Sequence, residues 1–288
     1  MFAPLQYEFF VRGLIVATLV GGLCGLIGVY IVLRRMSYIG HGLSHAIFGG
    51  AVTSYVLSIN FFVGASMWGF ISALLINLTT KKRGINADAA IGIVTTASFA
   101  LGVALISKFK SFTRSFDAAL FGNILGITET DLLAIIIVTI IAIVLIFVGY
   151  KYLLFTTFES DVAGLYGVPT AWVDAAFALL LAAIIVVSLQ VLGVTMLAAA
   201  IVIPPVTAQL LTNNFHKMLI FSVIIGSLCG LGGLYISFYI DVSSGASVVL
   251  FSAIVFVFFL SFTTLQRKVV MRGKRQHEHR SGQSHEIH

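Results

Sequence analysis

Two histidines four residues apart, His41 and His45, stand in the segment Met36-Ser37-Tyr38-Ile39-Gly40-His41-Gly42-Leu43-Ser44-His45-Ala46. On a helix this spacing puts both imidazoles on one face, one turn apart. Neutral imidazole is a good ligand for first-row divalent metals, and two from adjacent turns can share one ion. Gly40, Gly42, Gly49 and Gly50 permit a helix break or a close backbone approach. The same spacing also suits a polar helix end at a membrane interface, because Arg35 precedes His41 closely. Both readings are open at this point.

A second chemistry lies in Phe155 to Pro169. Phe158, Val162 and Leu165 share one helical face at offsets of four and three. Glu159 and Asp161 put negative charge at the start, which favours a helix N-terminus. Ser160 or Asp161 is the expected cap, and Gly167 with Pro169 the expected stop. A short acidic amphipathic helix, with Gly164 inside it, suits docking in a groove of a soluble partner. A helix lying on lipid is the alternative, but such helices usually carry Lys or Arg on the polar face. Pro204-Pro205 interrupts another apolar run. It reads as a plain kink or as a bend lining a pathway.

The elements that carry these residues follow from composition. The chain has 288 residues, 59% hydrophobic and 10% charged, with a mean hydropathy of +1.07. Soluble domains carry about 25% charged residues. A chain so poor in charge cannot cover its own surface in water. That excludes a soluble enzyme, a nucleic-acid-binding domain and a disordered protein. The fold class is an all-α polytopic membrane protein.

A spanning helix needs about 20 apolar residues. Runs free of Asp, Glu, Lys and Arg give single spans at 13–33, 89–107, 132–150, 218–240 and 242–266. The longer runs 36–80 and 175–216 each hold two, turning near Asn60–Gly64 and Gln190–Gly193. The sum is nine, with an eight-span arrangement as the alternative. Ala118 to Thr128 is too short to cross and reads as a surface or re-entrant helix. Arg34-Arg35, Lys81-Lys82-Arg83 and the tail after Gln266 mark the cytoplasmic side. Lys108, Lys110 and Arg114 fall outside and run against that rule. Residues 1–266 form a membrane domain, and 267–288 a basic, disordered cytoplasmic tail. The tail holds four of the seven histidines without zincin spacing. It reads as solvated, with loose metal binding as the alternative. Cys24 and Cys229 lie in apolar runs and read as reduced packing residues. Leu23–Ile31 and Leu228–Ile236 look alike, as a duplicated packing helix or as shared Gly-rich composition.

Several segments together resemble the permease subunit of ATP-binding-cassette importers for zinc, manganese or iron. They are Met36–Ala46, Asp88-Ala89-Ala90-Ile91-Gly92-Ile93, Leu120-Phe121-Gly122-Asn123-Ile124-Leu125-Gly126, Phe158–Pro169, Leu192–Pro204 and Asp241–Gly245 after Tyr235–Tyr239. The resemblance spans roughly residues 10 to 265. It implies a homodimeric permease in the bacterial plasma membrane, embedded in lipid. It also implies a cytoplasmic ATPase partner and an extracytoplasmic metal-binding protein. This chain is then a non-catalytic subunit without bound cofactor, passing zinc or manganese transiently. It has no phosphate-binding Gly-x-x-x-x-Gly-Lys loop of its own. His45 falls on the family's metal-site histidine. His41 falls where the family usually has aspartate, which tilts the ligand set towards zinc. Phe158, Glu159, Asp161, Val162, Gly164, Leu165 and Gly167 fall on the ATPase-coupling helix. Other readings of the chain are a permease of the same architecture for a metal chelate, and a proton-coupled carrier. The carrier would place carboxylates at mid-membrane, and this sequence has none there.

Overall fold

In the computed structural model residues 3–80, 86–109 and 120–284 are described. Lys81-Lys82-Arg83, Lys110, Arg114, Ala118 and His285 to His288 lie outside them. All regular structure among the described residues is helical. In chain order the helices are α1 (Glu8–Leu33), α2 (Ser37–Val56), α3 (Phe61–Thr80) and α4 (Ala87–Phe109). Then come α5 (Glu129–Val148), α6 (Tyr150–Phe158), α7 (Ser160–Leu165), α8 (Thr170–Leu211), α9 (Phe215–Ile240) and α10 (Ser244–Ser284).

Among the described residues, seven helices are long and apolar enough to cross a bilayer. One of them, α8, has 42 residues. Straight, it would run about 63 Å at about 1.5 Å per residue, twice a hydrocarbon core of about 30 Å. It does not run straight. Gly193 leaves helical geometry at φ 75°, ψ 165°, and the contacts along α1 show the chain turning back. Asp174 meets Arg34 at 3.0 Å, and Ser188 lies 3.9 Å from Cys24. Past the bend, the Ile201 carbonyl returns to Gly28, and Phe215 reaches Tyr30, ring centroids 5.6 Å apart. The turn falls inside the stretch 190–193 expected from the sequence. With the two arms of α8 taken separately, these helices give eight apolar segments among the described residues, and α2, which is less apolar, packs against them.

The bundle is held by backbone contact. α1 and α9 run antiparallel, with Gly21 against the Gly226 carbonyl and Gly230 against the Ala17 carbonyl. Any Cβ there would overlap backbone. Ser222 donates to the Gly25 carbonyl at 2.7 Å. Lipid tails are as apolar as leucine, so helices in a bilayer associate through such close packing and hydrogen bonds rather than through apolar burial. The two look-alike segments lie on these helices but not opposite each other: Gly25 meets Ser222, Gly28 meets Ile201, and Gly230 meets Ala17. Cys24 and Cys229 are both free and buried.

One expectation changes. Past the helical residues Leu120 and Phe121, the stretch to Thr128 holds only a short 3-10 turn, Ile124–Gly126. Gly122 sits at φ +77°, and the Asn123 side chain accepts from the Gly126 N–H at 3.1 Å. Such local side-chain bonding competes with helix. α10 continues as helix to Ser284. Extending an existing helix needs no nucleation, and Lys, Arg, Gln and Glu propagate it well.

The 120–126 segment seals the α8 bend. The Asn123 N–H donates to the Gln190 carbonyl at 3.1 Å, and Thr195 donates to the Leu120 carbonyl at 2.7 Å. At Gly193 a Cβ would strike the Gly122 nitrogen and the Leu120 carbonyl. Gly193→Ala should therefore lower stability by more than the roughly 1–3 kcal/mol of backbone strain alone. Thermal unfolding of the detergent-solubilised variant checks this; an unchanged midpoint would mean the bend tolerates a side chain.

Candidate functional site

α2 is buried nearly all round. Ile39, Gly40, Gly42, Leu43, Ser44, Ala46, Ile47 and Phe48 are all enclosed. The exception in its first half is one stripe: Tyr38, exposed, then His41 and His45, half-buried. The His41 and His45 ring centroids are 4.4 Å apart, and Tyr38 lies 5.5 Å below His41. Phe99 of α4 backs His45 at 5.2 Å. His45 Nδ1 is 3.0 Å from the His41 carbonyl oxygen. With its proton on Nδ1, His45 donates there and presents the Nε2 lone pair, the usual second-shell arrangement of a metal-binding imidazole. No group of three or more His, Cys, Asp or Glu able to hold a metal occurs among the described residues. The two imidazoles thus supply half of a four-coordinate shell.

α2 is positioned by its neighbours. Gly42 rests on Ile91 and Thr95 of α4, and Gly49 on the Ser98 carbonyl. At its start, α1 ends in a tight turn with Arg35 at φ 55°. The Arg35 N–H donates to the Val32 carbonyl at 3.1 Å and the Met36 N–H to the Ile31 carbonyl at 3.0 Å. This is a Schellman closure with Arg in the place usually taken by Gly.

Beside this turn, the Arg34 side chain is 9% exposed. Nη1 donates to Asp174 Oδ1 at 3.0 Å, Nε to Thr157 Oγ1 at 3.1 Å and Nη2 to Thr156 Oγ1 at 2.8 Å. The guanidinium lies 4.4 Å over the Phe177 ring. Burial pulls its pKa below the ordinary value, and Asp174 opposes that pull.

The same end of the bundle carries α6 and α7. Arg34, Arg35, Lys151 and Lys217 gather there, which marks it as cytoplasmic. The opposite end holds the Arg12–Glu129 contact at 3.4 Å. The face expected from Phe158, Val162 and Leu165 is open, at 55%, 36% and 87% exposure. Glu159, Asp161, Gly164 and Gly167 are exposed too, and a Cβ on Gly164 would meet nothing. The cap differs from expectation. Glu159, at φ −144°, is the N-cap and makes no side-chain capping bond. With α6 already helical up to Phe158, the single break needed to turn into α7 falls at Glu159. Gly167, at φ +79°, ends the turn as expected.

The model of the ABC 3 transport family matches residues 6–263. This chain belongs to that family. The permease is 37% identical over 272 residues to the manganese transport system membrane protein MntC of Listeria monocytogenes, covering 94% of this chain and 96% of that protein. It is 34% identical to the manganese import system permease protein ScaB of Streptococcus parasanguinis, covering 91% and 94%. Among solved structures, PsaBC from Streptococcus pneumoniae in complex with Fab superposes with a TM-score of 0.80 at 33% identity, covering 88% of this chain and 91% of that one. The permease is a multi-pass plasma-membrane transport component, as the apolar runs imply.

Three features of the permease escape a reading by sequence alone. Phe99 is one apolar residue among many in α4. Tyr38 belongs to the histidine stripe by its offset of three from His41, a signal present but easily passed over. Arg34 looks like an ordinary positive-inside charge, and only Asp174 at the head of a distant span hints at a partner.

Single cysteines placed on α2 test the stripe. His41→Cys should react with a water-soluble thiol reagent at least about tenfold faster than Leu43→Cys, since thiol reactivity follows exposure. Buried Cys24 and Cys229 keep the background low. Equal rates at positions 41 and 43 would show that the stripe is closed.

Proposed function

We propose that the permease moves a divalent first-row metal ion inward through a channel formed by two copies of this chain. A separate cytoplasmic ATPase supplies the energy, and an extracytoplasmic binding protein delivers the ion. The observation that carries this is the close His41–His45 pair, ring centroids 4.4 Å apart, on the open stripe of the otherwise enclosed first half of α2. Two copies would bring four imidazoles, enough for a tetrahedral shell. A transport site must also release its ion, so its binding is weak and brief. Manganese is the cargo named for the relatives at 37% and 34% identity. Zinc is the second reading, favoured by a donor pair that is all nitrogen.

The open α7 face suits the ATPase. Leu165 and Tyr166 are 87% and 78% exposed on a segment outside the spans, and Trp172, 78% exposed, stands at the first turn of α8. Aromatic and aliphatic anchors framed by the acids Glu159 and Asp161 fit a groove in a soluble partner.

His45→Ala should abolish import of both manganese and zinc while the protein still inserts and keeps its melting temperature. His41→Asp should raise the ratio of manganese to zinc import, since carboxylate suits manganese. Radiotracer uptake in cells lacking the native system measures both. Wild-type import by His45→Ala would sink the metal-site reading.

For the docking face, Leu165→Glu or Gly164→Arg should cost the permease its co-purifying ATPase without loss of membrane insertion. Undiminished co-purification would move the docking face elsewhere.

A further inference from the structure

Arg34 does something that a topogenic charge does not require. Its neighbour Arg35 is exposed and serves as an inner-leaflet anchor at no desolvation cost. Arg34 instead buries its guanidinium and gives each of its three nitrogens a different partner. Two partners, Thr156 and Thr157, lie on the last turn of α6. The third, Asp174, lies at the start of α8. Burying a guanidinium is costly unless it is paired and fully hydrogen-bonded, and the planar fork of Arg allows this simultaneous fixed geometry.

The position of this knot matters. On one side, α6 passes into α7 with Glu159 as the single residue between them, so displacement of α7 is carried to Thr156 and Thr157. Ala163 of α7 is fully buried, and the Val168 N–H returns to its carbonyl at 3.0 Å, which fastens α7 to the segment leading into α8. On the other side, Arg34 is the cap of α1. Two closing bonds in the Arg35–Met36 turn, and a third from the Ile39 N–H to the Met36 carbonyl at 2.9 Å, leave no slack before α2. His41 follows within the next turn.

We infer that Arg34 is a positioning residue that transmits movement of the α6–α7 segment to the His41–His45 pair. This rests on the reading of α7 as the ATPase-facing element. A pull on Thr156 and Thr157 moves the guanidinium and turns the head of α2, while Asp174 and the Phe177 ring act as the fulcrum on α8. The consequence is a division of labour. α7 holds the ATPase, and Arg34 converts its movement into a change at the metal pair.

The test uses the permease–ATPase complex in proteoliposomes with manganese. Thr156→Val/Thr157→Val cuts the α6 side of the knot and leaves the Asp174 pair intact. Arg34→Lys keeps the charge but cannot span three partners. Both should retain the ATPase and insert as folded permease, with a melting temperature lowered by the unpaired or missing donors of the buried guanidinium. Manganese imported per ATP hydrolysed should fall about tenfold, a size typical of lost coupling between sites. Arg35→Lys should behave as wild type. An unchanged import-to-hydrolysis ratio in both Arg34-network variants would overturn the inference, and so would loss of the ATPase together with import, because Arg34 would then merely brace the docking face. If Leu165→Glu keeps the ATPase, the α7 reading fails instead, and this result is separate from the ratio measured at Arg34.

Discussion

The approach of one helix backbone to another is the constraint on which this protein depends. Its solvent is hydrocarbon, so burying leucine against leucine contributes little to helix association. What remains is dispersion at close range and hydrogen bonds between helices. α1 provides both, as a spine. It meets α9 through Gly21, Gly25 and Gly226, and the returning arm of α8 through Gly28. A methyl group at any of these contacts would push apart backbones that close packing and the Ser222–Gly25 hydrogen bond hold together.

This spine explains why α8 can fold back on itself. A reversal within a membrane exposes backbone polar groups that water cannot reach, and irregular backbone at that depth survives only where protein covers it. Here the cover is the 120–126 segment, which supplies a carbonyl to Thr195 and takes the Gln190 carbonyl for its own N–H. Ser244, just at the head of α10, accepts the Ile124 N–H at 3.2 Å. Gly122, Gly193 and Gly245 meet where these three pieces cross. The outer end is thereby fixed to itself by hydrogen bonds. The inner end is fixed by a charge, Arg34, set among acid, hydroxyls and an aromatic ring.

Between the two ends lies α2, less apolar than the seven spans and enclosed in its first half except along the stripe of Tyr38, His41 and His45. Its polar content is tolerated because its hydroxyls bond within the helix. Ser44 donates to the Gly40 carbonyl at 2.6 Å, and Ser54 to the Gly50 carbonyl at 2.8 Å. His45 is oriented the same way, by the carbonyl one turn before it. The pair is therefore held in place by α2 and α4, and its other side is open. The exposed α7 face has the opposite character. It is apolar, outside the spans, and bonded to little around it, as suits a surface that a soluble partner covers.

Much of this was legible in the residues themselves. The apolar runs mark the spans because the hydrocarbon thickness sets their length. The histidine spacing marks one face because the helical repeat is regular. The offset of Val162 and Leu165 marks an open face of α7 for the same reason, while Phe158 lies across the Glu159 break, on α6. These are local or solvent-imposed regularities, and a single chain carries them. Tertiary structure decided the rest. The length of the apolar run placed a turn near Gln190–Gly193, but not what holds it: the φ of 75° at Gly193 is fixed by contacts with residues some 70 positions earlier. Ala118 to Thr128 has helical composition, but Gly122 is committed to the α8 bend, and that commitment stops the helix. Arg34 reads as a surface charge until Thr156, Thr157 and Asp174 are brought around it from more than 120 residues away. Sequence periodicity says which face of a helix differs from the others; only packing says what that face, or a single charge at its end, is set against.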